Sequence, residues 1–190
     1  TNLDIGESKQ SQITTFALGK NSKCENFPQE TIVYEGADGF NCVDITLTKS
    51  SVYLGWDITC LGLPDSGEPF IKGKYCQLNR LFCDGKLLYH DRIALSPKND
   101  LLNHQAGLAK HSVFATFLAY APEKLKDVYQ RKAIVEQLRE KIVELQAQTL
   151  ISITDIDGLL VIRYLGVHAQ QCKQLFIGLW QILRPLLIDK

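Results

Sequence analysis

Methionine is absent from all 190 residues, position 1 included. Nothing near Thr1 resembles a natural start, so the sequence is expected to be a piece of a longer chain. A charge excess of either sign is also missing: Lys+Arg and Asp+Glu both number 21. Nucleic-acid binders carry a basic surplus to neutralise phosphates, so that class is disfavoured. Little net charge remains to hold molecules apart, which points to a protein partner. Long apolar runs are lacking too. The longest, Val113 to Ala121 with Thr116 inside it, falls far short of the roughly 20 residues that a membrane helix needs. Thr1 to Gln10 is polar and has no signal-peptide core. There is no Asn-x-Ser/Thr signal, no CxxC pair, no zinc-ligand spacing, no P-loop, no dinucleotide fingerprint and no HExxH. The six cysteines (Cys24, Cys42, Cys60, Cys76, Cys83 and Cys172) therefore read as reduced cytoplasmic thiols, most of them small buried apolar residues.

What is present is an ordinary globular composition, 45% hydrophobic and 22% charged, on a chain long enough for one substantial domain. The first two-thirds carries β signals. Strands are expected over Ile13–Leu18, Thr31–Tyr34, Val52–Cys60 and Val113–Tyr120. Val43, Ile45 and Leu47 alternate with Asp44, Thr46 and Thr48, the period of a half-buried strand. Turn residues stand at Gly19–Ser22 and Gly36–Gly39, and Gly62, Pro64 and Gly67 are expected to stop the fourth strand. Tyr75–Phe82 and Leu87–Leu95 flank Asp84-Gly85, the strongest hairpin signal. Val113–Tyr120 is apolar on both faces and should be central.

The period then changes. Leu125, Val128, Ile134, Val135, Leu138, Ile142 and Leu145 predict a helix over Pro122–Gln148, with Pro122 and Glu123 suited to its first turn. A hairpin over Leu150–Tyr164 around Asp157-Gly158 follows, then a helix over His168–Leu187. The fold class is mainly β (α+β), with a β-body over 1–121 and two helices with an intervening hairpin packed on it over 122–190.

Candidate chemistry is sparse. Four histidines accompany the thiols, so a Cys-dependent hydrolase is conceivable, but none sits in a nucleophile motif. Glu30, Glu35, Asp57, Glu68 and Asp91 could pair as acid and base, or simply cap turns and strand edges. Asp57 stands out because it follows Trp56 inside an apolar strand. Buried there, it must be paired or hydrated, and a chain of such groups through a β-core could conduct a cation. The mixed-charge face of the first helix (Lys132, Glu136, Arg139, Glu140, Lys141 and Glu144) reads as solvated. The last helix carries more apolar residues than one packing stripe uses, so part of it could face a partner.

A collinear series of short motifs adds a specific resemblance. Phe27-Pro28-Gln29-Glu30-Thr31-Ile32 with Glu35-Gly36-Ala37 is followed by Gly55-Trp56-Asp57, Cys60-Leu61-Gly62 and Gly67-Glu68-Pro69-Phe70. Then come Asp84-Gly85 with Leu88, Asp91-Arg92, Val161-Ile162-Arg163-Tyr164-Leu165, and Leu179-Trp180 with Leu183-Arg184-Pro185. The series resembles the UreD/UreH family of urease accessory proteins, in its middle and C-terminal part. Asn26 and Leu63 depart from the aromatic and Arg usual there, and Asp91 stands where Glu is commoner. The upstream β-region and the Pro-rich tail usual in the family are missing.

The resemblance implies a two-layered helical stack of β-strands with two C-terminal helices. It also implies a non-enzymatic urease maturation chaperone, a scaffold between apo-urease and a UreF-type helical accessory protein, with a UreG-type GTPase joining through the latter. It further implies no tightly held cofactor, with Ni²⁺ only in transit. Asp57 and Asp91 match the channel-lining positions that the resemblance implies, and Glu30 and Glu68 are secondary channel-lining candidates. Phe176, Leu179, Trp180, Leu183 and Arg184 match the partner helix. Pro28, Gln29, Gly36, Trp56, Gly62, Arg163 and Tyr164 carry the structural motif. The rival reading is a β-rich docking scaffold with no part in metal passage.

Overall fold

The period-2 segments do not form one sheet but alternate between two. The structure, a computed structural model, describes residues 2–3, 9–63 and 66–188. In chain order the elements are β1 (Asn2–Leu3), β2 (Gln10–Ala17), β3 (Lys23–Asn26), β4 (Thr31–Val33), β5 (Asp38–Leu47), β6 (Val52–Leu63) and β7 (Glu68–Pro69). They continue with β8 (Lys74–Cys83), β9 (Lys86–Leu95), β10 (Val113–Tyr120), α1 (Val128–Glu144), β11 (Ile151–Ile156), β12 (Leu159–Gly166) and α2 (Ala169–Leu187). The larger sheet runs β1-β4-β6-β10-β12-β11, with β3 and β7 also on β6, and the smaller runs β2-β5-β8-β9.

The parallel pairings reveal the winding. β2, β5 and β8 are parallel in one sheet, while β3 and β4 run parallel to β6 in the other. The chain crosses from sheet to sheet and returns one strand further along, the helical two-layered stack. The Glu35-Gly36 turn thus carries the chain between sheets rather than reversing it within one. The β8–β9 hairpin closes the smaller sheet antiparallel. Its Asp84 and Gly85 both have positive φ, 47° and 78°, as a two-residue hairpin turn requires. β10 pairs antiparallel with β6 and β12 and is buried at every position, so it is central.

Several strand and helix boundaries differ from expectation, three of them for clear local reasons. β6 runs through Gly62 to Leu63, because Gly62 adopts φ 72° and pairs with Pro69 of β7; Pro64 lies outside the described residues. α1 starts at Val128, not Pro122, because Asp127 is the better cap: its carboxylate accepts from the Tyr129 and Gln130 amides. Residues before it make a turn closed by Leu125 N–H to the Ala121 carbonyl at 2.8 Å. α1 ends at Glu144 because Gln146 turns left-handed (φ 54°), and Ala147 and Gln146 donate to the Ile142 and Val143 carbonyls, a Schellman closure.

Alternate residues of the larger sheet serve two layers. Leu54, Trp56, Ile58, Phe117, Leu160 and Ile162 face the helices in one cluster with Leu138, Phe176, Leu179 and Leu183. The opposite face meets the smaller sheet through two apolar clusters. One holds Ile45, Leu47, Tyr53, Leu81 and Leu118; the other holds Leu61, Phe70, Tyr75, Leu95 and Phe114. Between them lies a belt of buried polar side chains.

Candidate functional site

The ladder between β6 and its parallel neighbours is interrupted. β3 pairs with Val52–Gly55 and β4 with Thr59–Leu61, which leaves Trp56, Asp57 and Ile58 bypassed on that side. Phe27-Pro28-Gln29-Glu30 fills the gap as a lip instead. Pro28 has no N–H to donate to a ladder, and its carbonyl accepts from Trp56 Nε1 at 3.3 Å. Phe27 lies on Trp56 with ring centroids 4.2 Å apart and meets Trp180 edge-on at 5.8 Å. Lys173 Nζ donates to Gln29 Oε1 at 2.8 Å, and Trp180 Nε1 and Arg184 Nε donate to Glu25. The lip is therefore held down by α2.

Beneath it opens a cavity of about 80 Å³ between the sheets, bordered by Gln29, Asn41, Asp57, Asn79 and Thr116 among others. Asp57 projects into the belt from β6. Asn41 Nδ2 and Gln77 Nε2 donate to its Oδ2 at 3.0 and 2.8 Å. Gln77 Oε1 accepts from Thr59 Oγ1 at 2.8 Å. Burial pushes the Asp57 carboxyl up to about 6, with the Asn41 hydrogen bond opposing the rise. The tyrosines Tyr53 and Tyr75 are also pushed up, chiefly by burial. Among the described residues, no protein donor reaches the buried Asn41 Oδ1 or Asn79 Oδ1.

Asp91 sits in the next cavity, about 430 Å³, whose wall shares Thr116 with the first. Its carboxylate accepts from Tyr89 at 3.1 Å and pairs with Arg163 at 3.1 Å, so Arg163 ties β12 to the smaller sheet. Burial and then the Asp91 charge push the Tyr89 hydroxyl up to about 12. Register explains the adjacency: Thr116 lies between Asp57 and Arg163 in the larger sheet, and Asn79 lies opposite Asp91 in the smaller.

The other carboxylates lie elsewhere. Glu30 borders a separate cleft of about 320 Å³ with Cys60 and His168, where the Cys60 thiol donates to the Gly62 carbonyl at 3.7 Å. Glu68 is exposed on β7. Glu35 caps the 71–72 turn by accepting the Ile71 amide at 2.6 Å. No group of three His, Cys, Asp or Glu able to hold a metal occurs among the described residues. On α2, Phe176, Leu179 and Leu183 are fully buried, packed toward Trp56 and Phe117. A partner reaching this helix therefore meets Trp180, Arg184 and the exposed Leu186 rather than those three. Tyr164 is buried and donates to the His168 carbonyl at 3.2 Å.

Sequence reasoning missed Asn41, Gln77, Asn79 and Thr116. β8 is apolar on both phases, Tyr75 and Leu81 inward against Cys76, Leu78 and Phe82 outward, so period alone does not say which way Gln77 and Asn79 point.

A parallel-wound β-body with helices on one face and a lidded polar cavity between its sheets can hold or pass a small polar species. The chain belongs to the family described as UreD urease accessory protein, whose model matches residues 5–190. A UreD urease accessory protein of Psychromonas ingrahamii is 69% identical over 194 residues, covering 99% of this chain and 63% of its own length. The corresponding protein of Dechloromonas aromatica is 34% identical, covering 95% of the chain and 61% of its own length. The UreD 2 protein of Brucella anthropi is 31% identical, covering 96% and 64%. The chain thus spans a little under two thirds of these curated relatives. No helix among the described residues is long and apolar enough to cross a membrane.

Proposed function

We propose that this chain acts in urease maturation as a non-enzymatic accessory chaperone in the cytoplasm. It docks a nickel-delivery complex on apo-urease and passes Ni²⁺ through its polar inter-sheet belt. Family membership supports the maturation role. The observation that carries the passage is Asp57, an ionisable group inside a β-core, bordering a cavity and held by two amide donors. Such burial costs free energy without a counter-charge, and a divalent cation supplies one. Asp91 continues the path across the shared Thr116 wall, with Glu30 and Glu68 as outlying carboxylates. The exposed side of α2, with Trp180 and Arg184, meets a UreF-type protein, through which a UreG-type GTPase joins.

The test is Asp57→Ala with Asp91→Ala in the full-length protein. Urease activation is expected to fall while co-purification of the accessory complex is retained; unchanged activation removes the conduit. The rival, a docking scaffold without metal passage, draws on the separation of Glu30 and Glu68 from the cavity and on the pairing of Asp91 with Arg163. It predicts that the double variant behaves like the parent.

A further inference from the structure

We infer that the outer face of the smaller sheet is an interface between two copies of this chain, packed face to face about a twofold axis that runs between β5 and β8.

Both helices pack on the larger sheet, which leaves the outer face of β2, β5, β8 and β9 uncovered among the described residues. Ile45, Leu81 and Tyr89 point into the sandwich, so the alternate positions of their strands point out. A sheet with one wet face normally shows polar side chains there. This one does not. Ile13 is 65% exposed and Leu87 47%, and Phe40, Leu78 and Phe82 are half-buried on the same face. An apolar patch that reaches from edge strand to edge strand marks a contact surface. The chain's zero net charge leaves little general repulsion between copies.

The pattern of the face says what covers it. One row across the sheet reads Thr15-Asp44-Arg80-His90, and Arg80 Nε and Nη2 donate to Asp44 at 2.7 and 2.6 Å. A twofold axis parallel to the strands, between β5 and β8, lays each row on itself in reverse. Each Asp44 then meets Arg80 of the second copy, and the two ion pairs close into a ring of alternating charge.

Size is complementary as well. The next row reads Ala17-Thr46-Phe82-Leu87, small on the β2 side and large on the β9 side. Reversal sets Leu87 on Ala17 and Phe82 on Thr46. A surface whose two halves fit each other is what an isologous contact requires, and a partner of different sequence demands no such symmetry. The dimensions suit a dimer. Four strands about 4.8 Å apart, each about eight residues long, give a footprint of roughly 500 Å². With side-chain relief this approaches the roughly 800 Å² per partner of a specific interface. Both α2 helices lie on the far sides of such a pair and stay open to docking.

The experiment is sedimentation equilibrium of the full-length protein over a micromolar concentration series, with Asp44→Arg and Arg80→Asp prepared separately. The parent is expected to dimerise with a Kd in the micromolar range. Each variant alone sets like charges across the axis and is expected to associate at least about tenfold more weakly. An equimolar mixture of the two is expected to regain parent-like association, because unlike charges again stand opposite. A pair that only braces β5 on β8 gives no such rescue. Leu87→Lys, at an exposed position, is expected to weaken association by a similar factor. It keeps the test decisive if the charge variants fail to fold, which circular dichroism checks.

The proposal is overturned by a parent that stays monomeric, by a dimer that Leu87→Lys leaves intact, or by folded charge variants that do not rescue each other. Hydroxyl-radical footprinting of Phe82 and Leu87 identifies the rival occupant. Protection in a monomer assigns the face to the rest of the full-length chain, and protection only on adding apo-urease assigns it to that protein; either result overturns the dimer.

Discussion

Glu25 and Trp180 stand 155 residues apart, yet the Glu25 carboxylate accepts the Trp180 indole N–H at 2.7 Å. Arg184 Nε reaches the other oxygen at 3.2 Å, so one carboxylate binds the last helix to β3. Between the two, Phe27 is packed against Trp56 and Trp180. α2 therefore covers the larger sheet and also clamps the lip over the polar cavity.

Loosening that clamp should be measurable. Trp180→Ala is expected to cost about 2–3 kcal/mol, from lost apolar contact and the aromatic pair with Phe27. Hydrogen exchange should rise first in residues 27–31, and urea unfolding gives the cost. If 27–31 exchange as in the parent while the helix loosens, the lip is not held by α2.

The outward and inward sides of α2 should respond differently. Phe176→Ala empties a fully buried site and is expected to destabilise the protein by about 3–5 kcal/mol. Arg184→Glu puts a like charge beside Glu25, and its exposed setting limits the loss to about 1 kcal/mol. Docking assays on a folded Arg184→Glu protein, checked by circular dichroism, report on the partner face; those on Phe176→Ala report on folding.

Asp57 makes stability depend on pH. Its folded carboxyl is raised to about 6 by burial, so the folded state holds the proton more tightly than the unfolded chain. The stabilisation is full below the ordinary carboxylate range and is lost as pH rises from about 4 through about 6, up to roughly 3 kcal/mol. Asp57→Asn keeps an oxygen for Asn41 and Gln77 to donate to and removes the ionisation. It should match the parent near pH 4 and exceed it at pH 7.5. Equal denaturation midpoints of the two proteins across that range would refute the buried charge.

Arg131 anchors the loop before α1. Its guanidinium donates to Asp155 at 2.8 Å and to the Leu125 and Lys126 carbonyls at 2.8 and 3.2 Å. Arg131→Met strands these acceptors and should cost about 2–4 kcal/mol. A double-mutant cycle with Asp155→Ala should show coupling above about 1 kcal/mol; additive losses would mean that the pair contributes little beyond its separate contacts.

At Gly62 the backbone has φ 72°, and an added Cβ would run into the Glu68 carbonyl oxygen. Gly62→Ala should therefore cost more than about 1–2 kcal/mol and detach β7 from β6. A parent-like melting temperature would show that the backbone there shifts freely.

Much of this was legible in one dimension. Alternation at Val43–Thr48, the Asp84-Gly85 turn, the two-faced apolar run at 113–120 and the helical spacing after Val128 are local patterns, because side-chain period follows directly from backbone geometry. Asp57 was visible for the same reason, as a carboxylate inside an apolar strand. The family motifs marked the lip, although not what it covers.

Tertiary structure decided the rest. Parallel pairing of β2, β5 and β8 joins segments far apart in sequence, and no turn residue records it. Asp91 meets Arg163 only because β9 and β12 approach from different sheets. Phe176, Leu179 and Leu183 face inward because Trp56 and Phe117 present the complementary surface, which an apolar stripe alone does not reveal. The contacts of Asn41 and Gln77 with Asp57 are the clearest case. An asparagine or glutamine letter states that a donor exists; only packing across the two sheets decides which acceptor it reaches.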